Sequence, residues 1–312
     1  MILDIILLVA GIALVLWGAD RFTDSASNVA RRWNVSELVI GLTIVALGTS
    51  LPEFVVSVIS SIQGSGDMSV GNIVGSNIFN TLVIVGMSAI VMPMIVSRGT
   101  LHREIPMSIG ASILLLALCH DGNLDRWASI ILIMCFSLFM GYTYYIAQHG
   151  KHKQDETTSA HQDTMGWGSI ALWLTVGIGC LVGGGQMLVD RATDIALRLG
   201  MSERMVGLTI LAAGTSLPEL ATSIVAARKG SAGLALGNAL GSNLFNIYFV
   251  LGVCSMISPM QISGISILDW AVFISSGILL FAVSLRKKIS RVGGIVLTLG
   301  YLLYMSLLIM GQ

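Results

Sequence analysis

Long apolar runs separated by short polar breaks occupy almost the whole chain. Ten of them are long enough to cross a hydrocarbon core of about 30 Å: 2–30, 37–62, 69–93, 104–120, 124–147, 167–199, 203–227, 234–258, 265–285 and 292–311. Each reads as a helix, because a backbone in lipid must satisfy its hydrogen bonds within its own segment. The one clearly polar linker, Gln148 to Gly166, divides the runs into two sets of five. The pattern predicts an all-α polytopic membrane protein with a first unit at 1–148, a linker at 149–166 and a second unit at 167–312.

The two units repeat one another. Glu37 to Glu53 reads ELVIGLTIVALGTSLPE, and Glu203 to Glu219, 166 residues on, reads ERMVGLTILAAGTSLPE, with 12 of 17 positions identical. The same offset aligns GNIVGSNIFN (Gly71 to Asn80) with GNALGSNLFN (Gly237 to Asn246), with 7 of 10 identical. The repeated motifs therefore span 37–80 and 203–246.

Composition strengthens the membrane reading: 54% of residues are hydrophobic, 11% are charged, and the mean hydropathy is +0.85. A soluble domain of this length needs more polar groups to wet its surface. Zero net charge argues against a nucleic-acid partner, and nothing implies a protein partner. Cys119, Cys135, Cys180 and Cys254 lack metal spacing and read as small hydrophobes. The first run has no basic leader segment and reads as a retained span.

Basic residues set the orientation. With the N-terminus outside, the cytoplasmic breaks hold 12 Lys and Arg, while the opposite side holds Arg126, Arg198 and Arg204. That is the positive-inside bias. Both termini then face outward and the 149–166 linker is cytoplasmic. Five spans per unit is an odd number, so the second unit enters the membrane from the other side. The expected architecture is ten transmembrane helices in two inverted five-helix repeats, which brings Glu53 and Glu219 together near the midplane.

In both GTSLPE segments, Pro52 and Pro218 lack a donor and crowd the preceding turn. Carbonyls around Ala46 to Thr49 and Ala212 to Thr215 are thereby freed or tilted. In hydrocarbon they need a partner, and a dehydrated cation is one. Ser50 and Ser216 lie within one turn of the glutamates. In the second motif, Ser76 and Asn80 share a helix face, as do Ser242 and Asn246. Asn72, Asn77, Asn238 and Asn243 are expected to hydrogen-bond the broken backbone. The repeated donors are all oxygens, which suits Ca²⁺ and Na⁺ better than Zn²⁺ or Cu⁺. Bidentate Glu53 and Glu219 with the Thr49 and Thr215 carbonyls supply about six oxygens, within the range Ca²⁺ takes. Facing carboxylates repel and are penalised in the bilayer when unloaded, which favours exchange over a leak or uniport. The polar rows Asp20, Asp24, Asn28, Arg31 and Gln186, Asp190, Asp194 in the longest spans read as access pathways rather than ligands.

The paired GTSLPE and GNxxGSNxFN segments resemble the alpha repeats of the sodium/calcium exchanger family, in its ten-span bacterial and archaeal form, over essentially the whole chain. The resemblance implies Na⁺-coupled Ca²⁺ exchange by alternating access, no enzyme activity and no cofactor. It implies Ca²⁺ ligation by Glu53, Glu219 and the carbonyls of Thr49 and Thr215. Sodium ligands would be Ala46, Ser50 and Ser76 in one unit and Ala212, Thr215, Ser216 and Ser242 in the other, with Asn80 and Asn246 lining the centre. Many relatives carry aspartate where this chain has Asn80 or Asn246, which weakens K⁺ cotransport as an expectation. A Ca²⁺/H⁺ antiporter and a K⁺-dependent exchanger remain the alternatives.

Overall fold

A computed structural model describes residues 2–149, 165–200, 212–262 and 264–310. Helix α1 (Ile2–Arg32) is followed by a bent pair, α2 (Glu37–Thr49) and α3 (Leu51–Ile62), at 50° to one another. Next come α4 (Gly66–Val91), α5 (Thr100–Leu118), α6 (Arg126–His149) and α7 (Trp167–Arg198). A single helical turn, Ala212–Gly214, leads to α8 (Leu217–Arg228), then α9 (Ala232–Ile257), α10 (Ile267–Ser284) and α11 (Arg291–Met310). Among the described residues, eight helices are long and apolar enough to cross a membrane, and the bent α2–α3 pair makes nine. The start of the expected 203–227 span, and nearly all of the 149–166 linker, lie outside the described residues.

The sequence reading placed helices but no strands. Four two-residue strands cap the bundle: β1 (Met94–Ile95), β2 (Asn123–Leu124), β3 (Met260–Gln261) and β4 (Lys288–Ile289). β1 pairs antiparallel with β4, and β2 with β3, so each ladder stitches one unit to the other. The expected start of the fourth span at 104 also moves. Thr100–Glu104 is a π-helical turn continuous with the helix, because Thr100, Leu101 and Glu104 are buried there.

Helices α4 and α9 form the centre, each 78% buried over its most apolar window, whereas α6, α10 and α11 are 17–22% buried and present Leu, Ile and Val outward. That inversion of the soluble pattern fits lipid contact on the periphery and polar groups inside. The two longest helices, α1 and α7, pack against each other. A Cβ on Gly11 would meet the Gly184 carbonyl at 3.0 Å, and one on Gly18 the Gly177 carbonyl at 3.0 Å. As the number rises along α1 it falls along α7, so these helices are antiparallel. Residues at the 166 offset (Gly11 and Gly177, Gly18 and Gly184) exchange roles across the contact. Asp4 bonds Arg198 at 2.8 Å at one end, and the Arg32 guanidinium lies 5.2 Å from the Trp167 ring at the other. The α1–α7 pair is riveted along its length.

Candidate functional site

The α2–α3 bend falls at Ser50, whose backbone leaves the helical region (φ −82°, ψ 9°) just ahead of Pro52. Ser216 repeats this geometry ahead of Pro218 (φ −90°, ψ 8°). The chain resumes helix at once, with Phe54 N donating to Ser50 O at 3.0 Å and Leu220 N to Ser216 O at 3.1 Å. Each glutamate therefore sits in the first turn of a helix, where the macrodipole favours negative charge. Ala46 is buried, and its carbonyl accepts the Ser50 N–H at 3.0 Å and, more weakly, the Thr49 hydroxyl at 3.4 Å. The backbone of Ala212 begins the described part of the second motif.

The four central side chains are fully buried and cross-bonded. Ser50 Oγ donates to Glu219 Oε1 at 2.8 Å, and Ser216 Oγ donates to Glu53 Oε1 at 2.8 Å. Each carboxylate is thus held by the serine of the other unit. The second oxygens, Oε2 of Glu53 and of Glu219, are buried and have no hydrogen-bond partner among the described residues. The same is true of Ser76 Oγ, Ser242 Oγ and the Oδ1 atoms of Asn80 and Asn246. An unpartnered buried acceptor costs about 1–3 kcal/mol, and more when charged, so this group of oxygens is built for a ligand that brings positive charge. The described residues hold no group of three His, Cys, Asp or Glu suited to a metal. Hydroxyl, amide and carbonyl oxygens must supply the rest of any coordination shell.

The amide oxygens are aimed by a second pair of crossed bonds. Asn80 Nδ2 donates to Asn243 Oδ1 and Asn246 Nδ2 to Asn77 Oδ1, each at 3.1 Å. With the nitrogens so engaged, both oxygens turn inward. π-Helical turns beginning at Asn80 (Asn80–Ile84) and at Phe245 (Phe245–Val250) carry these residues, and such turns recur at functional sites. Asn72 and Asn238 fulfil the expected role of bracing the broken helices, through the main-chain oxygens of Glu53 (3.5 Å) and Glu219 (3.3 Å). Asn77 and Asn243 do not. They orient the facing asparagines, a role that long-range pairing alone reveals.

A cavity of about 1100 Å³ approaches this centre between α3, α4 and α7, lined among others by Pro52, Asn72, Ser76, Gln186, Thr215 and Pro218. Thr215 is half-buried at its floor, whereas Thr49 is fully buried. Of the polar rows in the longest helices, Gln186 faces this cavity, and Asp20 and Asp24 hold Lys229 at 2.6 and 2.7 Å. Asp194 pairs with Arg191, and Gln186 donates to Asp190. None of these carboxylates joins Glu53 and Glu219.

The profile of a family described as sodium/calcium exchanger protein matches residues 3–145 and 169–310. The chain is 35% identical to the inner membrane protein YrbG of Escherichia coli (strain K12), over 99% of this chain and 97% of that protein. It is 30% identical to the sodium/calcium exchanger MaX1 of Methanosarcina acetivorans, over 98% of both. Among solved structures, the sodium-calcium exchanger NCX_Mj soaked with Na⁺ and Ca²⁺ superposes with a TM-score of 0.83 at 31% identity, over 98% of each chain.

Proposed function

The chain belongs to the sodium/calcium exchanger family, and from that premise we propose that this multi-pass membrane protein exchanges Ca²⁺ for Na⁺ by alternating access. The carrying observation is the pair of crossed serine–glutamate bonds, which leaves two buried carboxylate oxygens bare at the end of an open cavity. Ca²⁺ binds Glu53, Glu219 and the main-chain carbonyls of Thr49 and Thr215. Na⁺ takes the oxygens of Ala46, Ser50 and Ser76 in one unit and of Ala212, Thr215, Ser216 and Ser242 in the other. Asn80 and Asn246 line the centre with neutral oxygens.

The scaffold we propose is ten spans in two inverted repeats, 1–148 and 167–312, joined by a cytoplasmic 149–166 linker with both termini outside. The antiparallel α1–α7 contact and the exchanged hydrogen bonds support it. In that orientation the cavity opens outward. Cysteine labelling at Lys153 tests the topology, since the linker should react only from the cytoplasm.

The two carboxylates carry the mechanism. Ca²⁺ neutralises them, and several Na⁺ ions do the same from flanking positions, whereas an unloaded pair crosses the bilayer at a penalty. Flux in one direction is thereby tied to a return load. Serine hydroxyls serve both states, because the oxygen offers lone pairs to a cation while its O–H stays directed at the glutamate.

Purified protein in liposomes, given radiolabelled calcium under imposed Na⁺, K⁺ or H⁺ gradients at fixed membrane potential, tests the proposal. A Na⁺ gradient alone should drive uptake. Uptake that follows only the pH gradient would overturn sodium coupling in favour of a Ca²⁺/H⁺ antiporter, and a strict need for K⁺ would make it a K⁺-dependent exchanger.

A further inference from the structure

The motifs match across the units, yet one matched contact is made and its counterpart is open. Thr49 Oγ1 donates to Asn238 Oδ1 at 3.1 Å, sharing its proton with the Val45 carbonyl at 3.0 Å. Asn238 spends its amide nitrogen on the Glu219 main-chain oxygen at 3.3 Å and on Ser223 Oγ at 2.9 Å. Its side chain thus ties the glutamate helix of its own unit to the threonine of the other.

The 166 offset converts this set into Thr215, Asn72, Glu53 and Ser57. Asn72 Nδ2 makes the matching bonds, to the Glu53 main-chain oxygen at 3.5 Å and to Ser57 Oγ at 3.0 Å. The remaining bond is missing. Thr215 Oγ1 lies near the Glu53 carboxylate but has no hydrogen-bond partner among the described residues. Thr215 and Asn72 both line the cavity, and neither Thr49 nor Asn238 does.

Neighbouring backbone tells the same story. A Cβ on Gly237 would meet the Leu38 carbonyl oxygen at 2.6 Å, and one on Gly241 would meet Leu42 Cα at 2.6 Å. Their counterparts Gly71 and Gly75 have nothing within 4 Å among the described residues. The wall around Thr49–Asn238 is shut, whereas Thr215, Asn72, Gly71 and Gly75 face the cavity.

We propose that Thr49–Asn238 and Thr215–Asn72 are alternating latches, with Asn238 and Asn72 as positioning residues that hold one side of the exchange site closed while the other is open. In the opposite conformation Thr215 Oγ1 donates to Asn72 Oδ1, and the Thr49–Asn238 bond breaks. The inference rests on the alternating-access reading above. It adds which side chains distinguish the two states.

The test uses the full chain in liposomes, with the four native cysteines replaced by alanine and Val56→Cys placed as a reporter in the cavity wall. The readout is the rate of modification by a membrane-impermeant maleimide added from the side onto which the cavity opens. Thr49→Val keeps shape and main-chain carbonyl but removes the closed latch, and should slow labelling by up to about fivefold, the equilibrium shift worth one ordinary hydrogen bond. Thr215→Val removes the latch that would close the cavity, and should leave labelling as fast or faster. Asn238→Ala should follow Thr49→Val, Asn72→Ala should follow Thr215→Val, and Thr49→Ser should restore the parent rate. Equal shifts in the same direction for both threonines would overturn the latches, because a merely bracing role has no side. Labelling needs no transport, so the outcomes separate. Opposed shifts without Na⁺-driven calcium flux sink the coupling and spare the latches; normal flux with equal shifts does the reverse.

Discussion

Gly237→Ala and Gly71→Ala are the same substitution at matched places in the two units, yet among the described residues only one meets an obstacle. In α9 the new methyl would lie 2.6 Å from the Leu38 carbonyl oxygen, 3.0 Å from Gly41 Cα and 3.1 Å from Leu42 N. All three are backbone atoms of α2, so no side chain can swing away, and the helices must part. Overpacking of this kind costs about 1–3 kcal/mol. In α4 the methyl at position 71 meets nothing within 4 Å among the described residues. Both substitutions gain the same helix propensity, about 0.8–1 kcal/mol, and this gain cancels in the comparison. The steric cost remains, and it falls on the conformation in which α2 and α9 are packed. A bias of about 1–3 kcal/mol is about 5–150-fold in an equilibrium. Amide hydrogen exchange over residues 38–46, in lipid nanodiscs without Ca²⁺, measures it. Gly237→Ala should speed exchange there by a factor in that range, and Gly71→Ala should leave it unchanged or slower. Equal protection in the two variants would refute the asymmetry of the walls.

Glu53→Gln and Glu219→Gln each keep an acceptor for the opposite serine but remove half the formal charge of the centre. Both should stay monodisperse and lose Ca²⁺ exchange, and near-normal flux in either would end the two-glutamate site. Ser50→Ala should weaken Na⁺ acting from the cytoplasm, and Ser216→Ala Na⁺ acting from outside; sided titrations that move together would exclude separate sodium sites. Lys229→Gln removes the bonds to Asp20 and Asp24, half-exposed pairs worth about 0.2–1 kcal/mol each. It should therefore shift the balance away from the outward-open state by a few-fold, read from spin-label distances between α1 and α8, and an unchanged distribution would deny the pairs that role.

The spans and the repeat are legible because lipid imposes a simple code of long apolar runs, and duplication writes the same residues twice. The central carboxylates stand out for the same reason: Glu53 and Glu219 are charged residues inside apolar segments. Other features leave no periodic trace. The β1–β4 and β2–β3 ladders join loops far apart in sequence through residues that also read as ordinary span ends. The aiming of Asn80 by Asn243, and of Asn246 by Asn77, depends on which asparagines face each other across the pseudo-symmetric centre. Residues 100–103 fall in the break before the fourth run because His102 and Arg103 are polar, yet they wind into the helix with Thr100 and Leu101 buried. Least legible is the conformation itself. Two matched motifs contain no sign of which copy is closed, and that is a property of packing between units.

A perfectly two-fold chain would give the two conformations equal energy, apart from what the membrane and its ions contribute. This chain is close to two-fold at the centre and departs from it at the rim. Glutamates, serines, threonines and asparagines of the site all repeat at the 166 offset, and their crossed bonds have equal lengths in pairs. The offset carries Lys229 onto Gln63, Asp20 onto Gln186 and Asp24 onto Asp190. On the side that is closed here, an ammonium meets two carboxylates. On the side that is open, the matched groups are two amides and one carboxylate, and Gln186 donates to Asp190 within its own helix. An ion pair on one face, and no cation at the matched place on the other, leaves the site's residues unchanged and should tilt the balance between states. On the exchange reading proposed above, the centre would set which ions are carried and the rim which way the empty carrier faces.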